Sequence, residues 1–228
     1  MVYLCLYICY INYPKYTKMK KLLLLLLLVS FGAAAQDVVI LKHTNYTSYF
    51  SKSKRYPVMV EYTITKPMVT CPTPLKRKDA FKPDPSLPIE TNIVKDYINS
   101  GTDRGHMMPA AENLCQTQAI QDECFYMSNM AAQYHSLNAG DWKSVETLER
   151  NLASVDGDIK IWVGNIGELK KIGTVSVPAK CWKVLYIKST KKWVAYLFDN
   201  NTSKPDGPAN NEVTVAQIQL LTGLKFAP

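Results

Sequence analysis

Residues 19–35 determine how much of this chain can enter a fold. A Met-Lys-Lys start is followed by a leucine-rich run and then by the three alanines at 33–35. A positively charged start, a short apolar run and a small-residue cleavage site are typical of a secretory signal peptide. The alternative is a membrane anchor, but Leu22–Phe31 supplies about ten mostly apolar residues where a span needs about twenty. We therefore expect cleavage after Ala35, and a product that is periplasmic or secreted, with no membrane attachment once processed.

The tyrosine-rich residues 1–18 lie upstream of Met19, and we interpret them as a start codon placed too early. The folded part is then predicted to be a single domain over 36–228, which leaves 193 of the 228 residues. A chain of that length can bury one sizeable core. Its net charge is only +4 of the total +8, since four lysines and no acidic residue precede position 36. Bulk charge is therefore a weak argument for a nucleic-acid partner.

Four of the six cysteines fall in the predicted domain, at positions 71, 115, 124 and 181. An even number in an exported protein favours two disulfides, and four cysteines allow three pairings. The short separation of Cys115 and Cys124 favours that pair, which would leave Cys71 with Cys181. A zinc site is the alternative, but the chain has no Cys-x-x-Cys pair in this domain and only three histidines.

The residue pattern of the domain predicts the α+β class. Strands are predicted at 58–65, 125–127, 159–164, 182–187 and 192–198 from their apolar and β-branched residues. The last two are close enough to form a hairpin. Helices are predicted near 110–123 and over 138–155, the second from apolar residues at three- and four-residue spacing. Residues 66–102 hold six prolines and are expected to form a largely irregular surface segment.

Residues with catalytic chemistry concentrate between 103 and 150. The tetrapeptide Asp-Arg-Gly-His at 103–106 combines a cation, a flexible glycine and a titratable imidazole. Asn138, Trp142, Glu146 and Arg150 follow at steps of four, so on a helix their amide, carboxylate and guanidinium groups share one arc. The alternatives are a solvated Glu146–Arg150 pair in the favourable order and a helix N-cap for Asn138.

Three motifs taken together point to a known family. Residues 102–110 contain Asp-Arg-Gly-His, residues 125–130 read Phe-Tyr-Met-Ser-Asn-Met, and residues 137–142 read Leu-Asn-Ala-Gly-Asp-Trp, with Glu146 four positions later. In this combination the chain resembles the DNA/RNA non-specific endonuclease family, the Serratia-type sugar-non-specific nucleases. The resemblance extends over about Tyr46 to Ile187.

The resemblance implies a ββα-metal active site on a central antiparallel sheet flanked by helices, and hydrolysis of phosphodiesters in DNA and RNA with Mg²⁺, or with Mn²⁺ in its place. Carried over to this chain, His106 would be the general base, Asn138 the one protein ligand of the ion, and Glu146 a carboxylate that holds metal-bound waters. Neutral imidazole titrates near working pH, which suits a base. Mg²⁺ keeps most of its waters and needs few protein ligands.

The same resemblance assigns arginines to the phosphate. Arg104 and Arg150 would neutralise charge on the scissile group, because a guanidinium has fixed donors that match phosphate oxygens. Arg77 is our choice for a further phosphate contact, although Lys76 and Lys78 beside it make the register ambiguous. All of these groups address phosphate rather than a base or a 2′-hydroxyl, so we expect little preference between DNA and RNA.

A catalytically inactive nucleic-acid-binding protein of the same fold is the alternative function, and the presence of His106, Asn138 and Glu146 argues against it. An extracellular adhesion domain is a weaker alternative. Asn129 matches a family asparagine near the site, with a structural role equally open, and a structural or solvated role is expected for His135. The oligomeric state stays open, a homodimer included, as does the existence of an inhibitor protein.

Overall fold

A central antiparallel sheet organises the domain. The computed structural model describes Asp37–Pro228, so the predicted early start and signal peptide lie outside the described residues. Within Asp37–Pro228 the strands in chain order are β1 (Val38–Lys42), β2 (Tyr46–Ser51), β3 (Tyr56–Ile64), β4 (Asp103–His106), β5 (Met130–Gln133), β6 (Ile159–Ile166), β7 (Lys170–Ile172), β8 (Val175–Val177), β9 (Lys180–Ile187), β10 (Lys192–Asp199) and β11 (Glu212–Val213). Seven of them form one sheet in the order β1-β2-β3-β6-β9-β10-β11, with every pairing antiparallel.

The helices are short except for one. In chain order the described α-helices are α1 (Lys66–Val69), α2 (Gln118–Glu123), α3 (His135–Leu137), α4 (Lys143–Asp156) and α5 (Val215–Thr222). Single 3₁₀ turns lie at Val94–Tyr97, Ala110–Asn113, Met127–Asn129 and Pro208–Asn211. None of the helices in this part of the chain is long and apolar enough to cross a membrane. The predicted fold class, an α+β domain with a central antiparallel sheet and flanking helices, is confirmed.

The runs rich in β-branched and aromatic residues form the centre of the sheet. The strands predicted at 58–65, 159–164, 182–187 and 192–198 are confirmed as β3, β6, β9 and β10. The predicted hairpin is also present, with Ile187 opposite Lys192 at its turn. β6 and β9 are buried along almost their whole length, because both faces of the sheet are covered. Strands buried on both faces have nearly continuous apolar sequences, which is why they were readable.

Two predictions between residues 110 and 127 are wrong. The predicted helix is broken into the turn Ala110–Asn113 and the later α2, whose first turn is capped by the Thr117 hydroxyl through the Ile120 N–H at 3.3 Å. The predicted strand at 125–127 is instead the approach to the 3₁₀ turn Met127–Asn129, and β5 begins only at residue 130. A short apolar run that packs into a core does not by itself distinguish a strand from a turn.

Both predicted disulfide pairings are wrong. Cys71 is bonded to Cys115, with their Cα atoms 5.7 Å apart. The segment that carries Cys115 lies beside α1, where its backbone N–H donates to the carbonyl of Met68 at 3.3 Å, so it meets Cys71 rather than its sequence neighbour. Cys124 and Cys181 are separate buried thiols, and burial raises the pKa of each to about 12.

The two faces of the sheet carry separate clusters. One face packs Val60, Ile161 and Leu185 against Trp142 and Val145 at the start of α4. On the other face, Trp162 and Trp182 of the sheet pack against the C-terminal residues Ile218 of α5 and Phe226. The motifs found in the sequence therefore lie over the first face, and the C-terminal helix covers the second.

A buried ion pair fixes α4 on this first face. Lys183 of β9 donates to Glu149 of α4 at 2.9 Å, and both side chains are fully buried. The Tyr62 hydroxyl donates to the same carboxylate at 3.3 Å, and the Lys183 ammonium lies 4.5 Å from the centre of the Trp142 ring. Removing one partner of a buried pair leaves an uncompensated charge, which costs about 3–5 kcal/mol. The helix that follows the Leu-Asn-Ala-Gly-Asp-Trp motif is thus held rigidly on the sheet.

Candidate active site

One cleft of about 290 Å³ collects the chemistry-bearing residues of the chain. Its floor is a ββα unit, in which β4 pairs antiparallel with β5 and α4 follows. The six residues singled out from the sequence all line it: Arg77, Arg104, His106, Asn138, Glu146 and Arg150. They come from an irregular segment, a strand, a turn and a helix, so only the tertiary structure brings them together.

Strand β4 consists of the tetrapeptide Asp-Arg-Gly-His itself, which sequence analysis placed at a junction without assigning a strand. Gly105 lies opposite Ala131 in the β4–β5 pair. A Cβ atom at Gly105 would lie 2.0 Å from the Oε1 of Gln133, so a larger residue would displace the neighbouring strand's side chain. The missing side chain at Gly105 thus leaves room for the buried side chain of Gln133.

The His106 side chain is enclosed by aromatic rings. Phe125 meets it edge-on with ring centres 5.0 Å apart, and Phe81 lies at 5.6 Å. The Trp142 indole N–H donates to the His106 backbone carbonyl at 3.1 Å, which ties the strand to the first turn of α4. Within Asp37–Pro228 the buried Nε2 of His106 has no hydrogen-bond partner. His106 lines the cleft, and this ring nitrogen keeps an unused hydrogen-bonding position.

Burial also determines the protonation of His106. Its side chain is 7% exposed, and this burial, helped by the positive charges of Arg77 and Arg104, lowers its pKa from 6.5 to about 3. Burial disfavours the charged imidazolium because the low-polarity surroundings replace its hydration. At neutral pH His106 is therefore a neutral imidazole.

Asp103 sets the orientation of the Asn138 amide. Asn138 donates from Nδ2 to Asp103 Oδ2 at 2.9 Å, and the same oxygen lies 2.8 Å from Nδ1 of the exposed His135. Because the NH₂ group of Asn138 donates to Asp103, its Oδ1 points to the other side, where no hydrogen bond to it is present among the described residues. A free amide oxygen in the cleft is a suitable ligand for a hard cation such as Mg²⁺.

The turn that carries Asn138 is not the start of a regular helix, as predicted from the four-residue spacing. Residues Asn138–Trp142 form a π-type turn in which Gly140 has non-helical angles, φ −99° and ψ −112°. A Cβ atom at Gly140 would lie 2.2 Å from the Pro205 ring, and the Asp141 carboxylate accepts from the Gly207 N–H at 3.0 Å. The segment after β10 therefore packs against this turn and supports the position of Asn138.

Glu146 and Arg150 do not form the simple pair that was the alternative for them. Arg150 donates from Nη1 to Glu112 Oε1 at 3.2 Å, where Glu112 is fully buried, and from Nη2 to the Thr147 hydroxyl at 2.9 Å. Glu146 faces the cleft, and burial raises its pKa to about 7, while the positive charge of Lys183 opposes the rise. Since Arg150 pairs with Glu112, the carboxyl of Glu146 can interact with groups that enter the cleft.

The two remaining arginines lie along one edge of the cleft. The Arg104 guanidinium sits 4.0 Å from the centre of the Phe81 ring. Arg77 donates to Asp79 at 2.8 Å, and its guanidinium lies 5.4 Å from the centre of the Phe125 ring. Of the basic run at 76–78, Arg77 is the member that lines the cleft, which agrees with the choice made from the sequence.

Comparison with known proteins now identifies the family. Residues 26–228 match the family described as DNA/RNA non-specific endonuclease. The chain belongs to this family. It is 30% identical over 208 residues to the mitochondrial nuclease EXOG of Homo sapiens, covering 82% of this chain, and 29% identical over 211 residues to a nuclease of Serratia marcescens, covering 83%. A crystal structure of an EndoG/EndoGI complex, titled as the mechanism of EndoG inhibition, superposes with a TM-score of 0.72 at 27% identity. That match covers 82% of this chain and 84% of the other.

The relatives differ in length and in compartment. The chain spans 56% of the length of human EXOG, 59% of the mouse protein and 75% of the Serratia nuclease. Their names include both mitochondrial proteins and a bacterial one, so export of this family member stays a prediction from its sequence.

Sequence analysis of this family member missed three residues of the site. Lys143 lines the cleft beside the assigned groups, Asp103 orients Asn138, and Glu112 pairs with Arg150. The sequence could have indicated Asp103, because it lies inside the tetrapeptide motif. It gave no indication of Glu112, which is 38 residues from its partner Arg150. Within the described part of the chain, the hydrogen bonds of the Asn129 side chain go to backbone groups of Met108 and Cys124, which supports its structural role.

His106 and Glu146, the two cleft groups with strongly shifted pKa values, are expected to change the pH dependence of stability in opposite directions. Since the folded pKa of His106 is about 3 against 6.5, the unfolded chain binds a proton that the folded chain does not, and stability is lost as pH falls from 6.5 toward 3. The folded pKa of Glu146 is about 7 against 4.5, so the folded chain binds a proton that the unfolded chain does not. The stability of the protein is therefore lost as pH rises from 4.5 toward 7. The contribution of His106 at pH 3 is on the order of 4 kcal/mol.

The free energy of unfolding should be measured with urea in EDTA from pH 4 to pH 7.5. The proteins to compare are wild type, His106→Asn and Glu146→Gln. The first variant should lose less stability on acidification than wild type, and the second should lose less as pH rises. Parallel curves for all three proteins would contradict the assignment.

Proposed function

We propose that this protein is an exported, Mg²⁺-dependent endonuclease that hydrolyses phosphodiester bonds in both DNA and RNA. The observation that carries the proposal is the single cleft in which a neutral histidine, a free amide oxygen, a carboxyl group and three arginines converge. Membership of the DNA/RNA non-specific endonuclease family supports the same reaction. The alternative, an inactive nucleic-acid-binding protein of this fold, gives no role to the unpartnered Nε2 of His106.

The cleft residues fit a single hard cation. Asn138 would hold the ion through Oδ1, and Glu146 would orient its water molecules. Among the described residues no cluster of three His, Cys, Asp or Glu side chains could hold a metal, which agrees with a site built on one amide. When bound, the ion polarises the phosphate and stabilises the departing oxygen.

His106 performs the proton transfer. Its neutral Nε2 accepts a proton from the attacking water as the water oxygen forms a bond to phosphorus and the bond from phosphorus to the leaving oxygen breaks. A base must be unprotonated before each turnover. Burial, which lowers the pKa of His106 to about 3, keeps the imidazole unprotonated at neutral pH, but it also makes His106 a weaker base than an imidazole that titrates near working pH. The enclosing Phe81 and Phe125 rings hold the imidazole at one orientation.

The arginines bind the phosphate that the water attacks. Arg104 and Arg150 supply donors for the oxygens that gain charge, and Glu112 holds the Arg150 guanidinium in place from below. Arg77 would bind a phosphate farther along the strand. Contacts to phosphate carry no sequence information, so DNA and RNA are both expected as substrates.

Incubation of the protein from residue 36 onward with plasmid DNA and with RNA, in Mg²⁺ and in EDTA, tests the proposal. We expect both substrates to be degraded in Mg²⁺ or Mn²⁺ and to stay intact in EDTA. Intact substrates in Mg²⁺ would exclude the nuclease, and binding without cleavage would favour the inactive alternative. Amino-terminal sequencing of the protein recovered from outside the cytoplasm tests export, with Gln36 as the expected first residue.

Lys143 is expected to contribute a further phosphate contact. It is exposed at the first position of α4, lines the cleft beside Asn138 and makes no salt bridge within Asp37–Pro228. Lys143→Ala should raise KM for duplex DNA several-fold and reduce the slope of log KM against log salt by about 0.9, with kcat little changed. Lys171→Ala, an exposed lysine outside the cleft lining, is the matched control. Equal salt slopes for the two variants would contradict the assignment.

A further inference from the structure

The segment Cys71–Ala80, here called the strap, brings Arg77 to the cleft. It contains no helix or strand, and most of its side chains are exposed. A segment without regular structure owes its position to the bonds it makes with the rest of the fold. Those bonds therefore decide where the Arg77 guanidinium lies.

Two attachments hold the strap to the chain that follows β4. The disulfide joins its first residue, Cys71, to Cys115, and the Leu75 backbone N–H donates to the Leu114 carbonyl at 2.7 Å. Both attachments end on adjacent residues, just beyond the 3₁₀ turn Ala110–Asn113. Residues 110 and 111 of this turn line the cleft, so the anchor and the cleft wall are parts of one segment.

Arg77 does little to anchor the strap. Its ion pair is with Asp79 in the same strap, and the two side chains are 54% and 65% exposed, so it adds little to the attachment. Its guanidinium lies 5.4 Å from the centre of the Phe125 ring, a contact of modest strength at a partly exposed position. On one side of Arg77 the strap is held where Ala80 packs against the core and where the following Lys82 bridges to Tyr126. On the Cys71 side of Arg77 the covalent bond is the strongest constraint.

We propose that the Cys71–Cys115 disulfide is a positioning element for substrate binding, which holds Arg77 at the cleft before nucleic acid arrives. The inference rests on the proposed function. A cross-link restricts the conformations of the segment it closes, and a pre-organised contact loses less freedom on binding. Without the disulfide the strap keeps Arg77 but samples more positions, so the substrate must order it on binding.

A double-mutant cycle tests the proposal through binding and KM. The proteins are wild type, Cys71→Ser with Cys115→Ser, Arg77→Ala, and the combination of all three changes. The disulfide variant should raise KM for duplex DNA about 3- to 10-fold, the range expected when one charge-assisted phosphate contact is weakened, with kcat within about 2-fold. In the Arg77→Ala background the same cysteine changes should leave KM unaltered.

Direct affinity gives a second readout. The dissociation constant of a fluorescent duplex for the four proteins, each also carrying His106→Ala to prevent cleavage, should follow the same pattern. Ile218→Ala is the matched control for lost stability, because Ile218 is fully buried on the opposite face of the sheet. It should lower Tm without raising KM. An equal effect of the cysteine changes with and without Arg77 would overturn the proposal.

Two further outcomes keep the test decisive. Mapping by alkylation and mass spectrometry should find one disulfide, between Cys71 and Cys115, and two thiols at Cys124 and Cys181; any other pairing overturns the proposal.

If the serine variant does not fold, wild type is compared before and after reduction by a dithiol. The dithiol delivers two electrons and two protons to the disulfide and closes to a cyclic disulfide itself. Loss of all cleavage by wild type would reject the proposed function, whereas unchanged KM in an active enzyme rejects only this inference.

Discussion

Replacing His106 by alanine is expected to lower kcat on both DNA and RNA by about a hundred- to ten-thousand-fold, the usual contribution of a general base. The change removes the imidazole of the cleft, whose Nε2 has no hydrogen-bond partner among the described residues. KM should change little, since the arginines that bind phosphate remain. Single-turnover cleavage at saturating Mg²⁺ measures the effect.

Rescue by added imidazole separates a missing base from a damaged fold. The space left between Phe81 and Phe125 can accept a small ring, so imidazole should restore part of the activity of His106→Ala and none to wild type. Lys171→Ala is the control, because that side chain is exposed and lies outside the cleft lining, and its activity should stay within about 3-fold of wild type. If His106→Ala cleaves as fast as wild type, the assignment of the base is wrong.

Loss of Asn138 is expected to have the second largest effect. Asn138→Ala removes the amide oxygen that we assign to the ion, so Mg²⁺-dependent cleavage should be abolished at concentrations that saturate wild type. Asp103→Asn keeps the Asn138 side chain but replaces the acceptor that orients it. Removing an orienting partner of a metal ligand costs about 10- to 100-fold in metal affinity or activity.

These two variants differ in how they respond to the ion. High Mg²⁺ should restore most of the activity of Asp103→Asn, because its ligand is present but poorly oriented, and little of that of Asn138→Ala. Mn²⁺ binding followed by electron paramagnetic resonance, without substrate, gives the affinity directly. Urea unfolding in EDTA is the control for both. Wild-type metal affinity in Asn138→Ala would show that another group holds the ion.

The sequence by itself determined the sheet centre and named six residues that share one cleft. Strands β6 and β9 were readable because both faces of the sheet are buried there, and β3 and β10 were readable from their β-branched and aromatic residues. The six cleft residues were named from motifs whose chemistry is local to a few positions. The resemblance to a family supplied the roles, which neither spacing nor composition could assign.

Tertiary structure decided what depends on distant neighbours. Cys115 meets Cys71 rather than the nearer Cys124, because the packing of α1, not sequence separation, sets which cysteines lie together. Arg150 pairs with Glu112 across 38 residues instead of with Glu146 one turn away. Similarly, burial among the Phe81 and Phe125 rings, which no local pattern encodes, makes His106 neutral.

The turn at Asn138 shows both contributions in one place. The four-residue spacing to Glu146 predicted a continuous helix, and both side chains do reach the same cleft. Gly140 nevertheless leaves the helical conformation, because Pro205 and the loop after β10 occupy the space beside it. Sequence spacing identified Asn138 and Glu146 as residues of one cleft. The backbone that presents Asn138 was set instead by packing from a segment 65 residues away, because a backbone conformation depends on everything in contact with it.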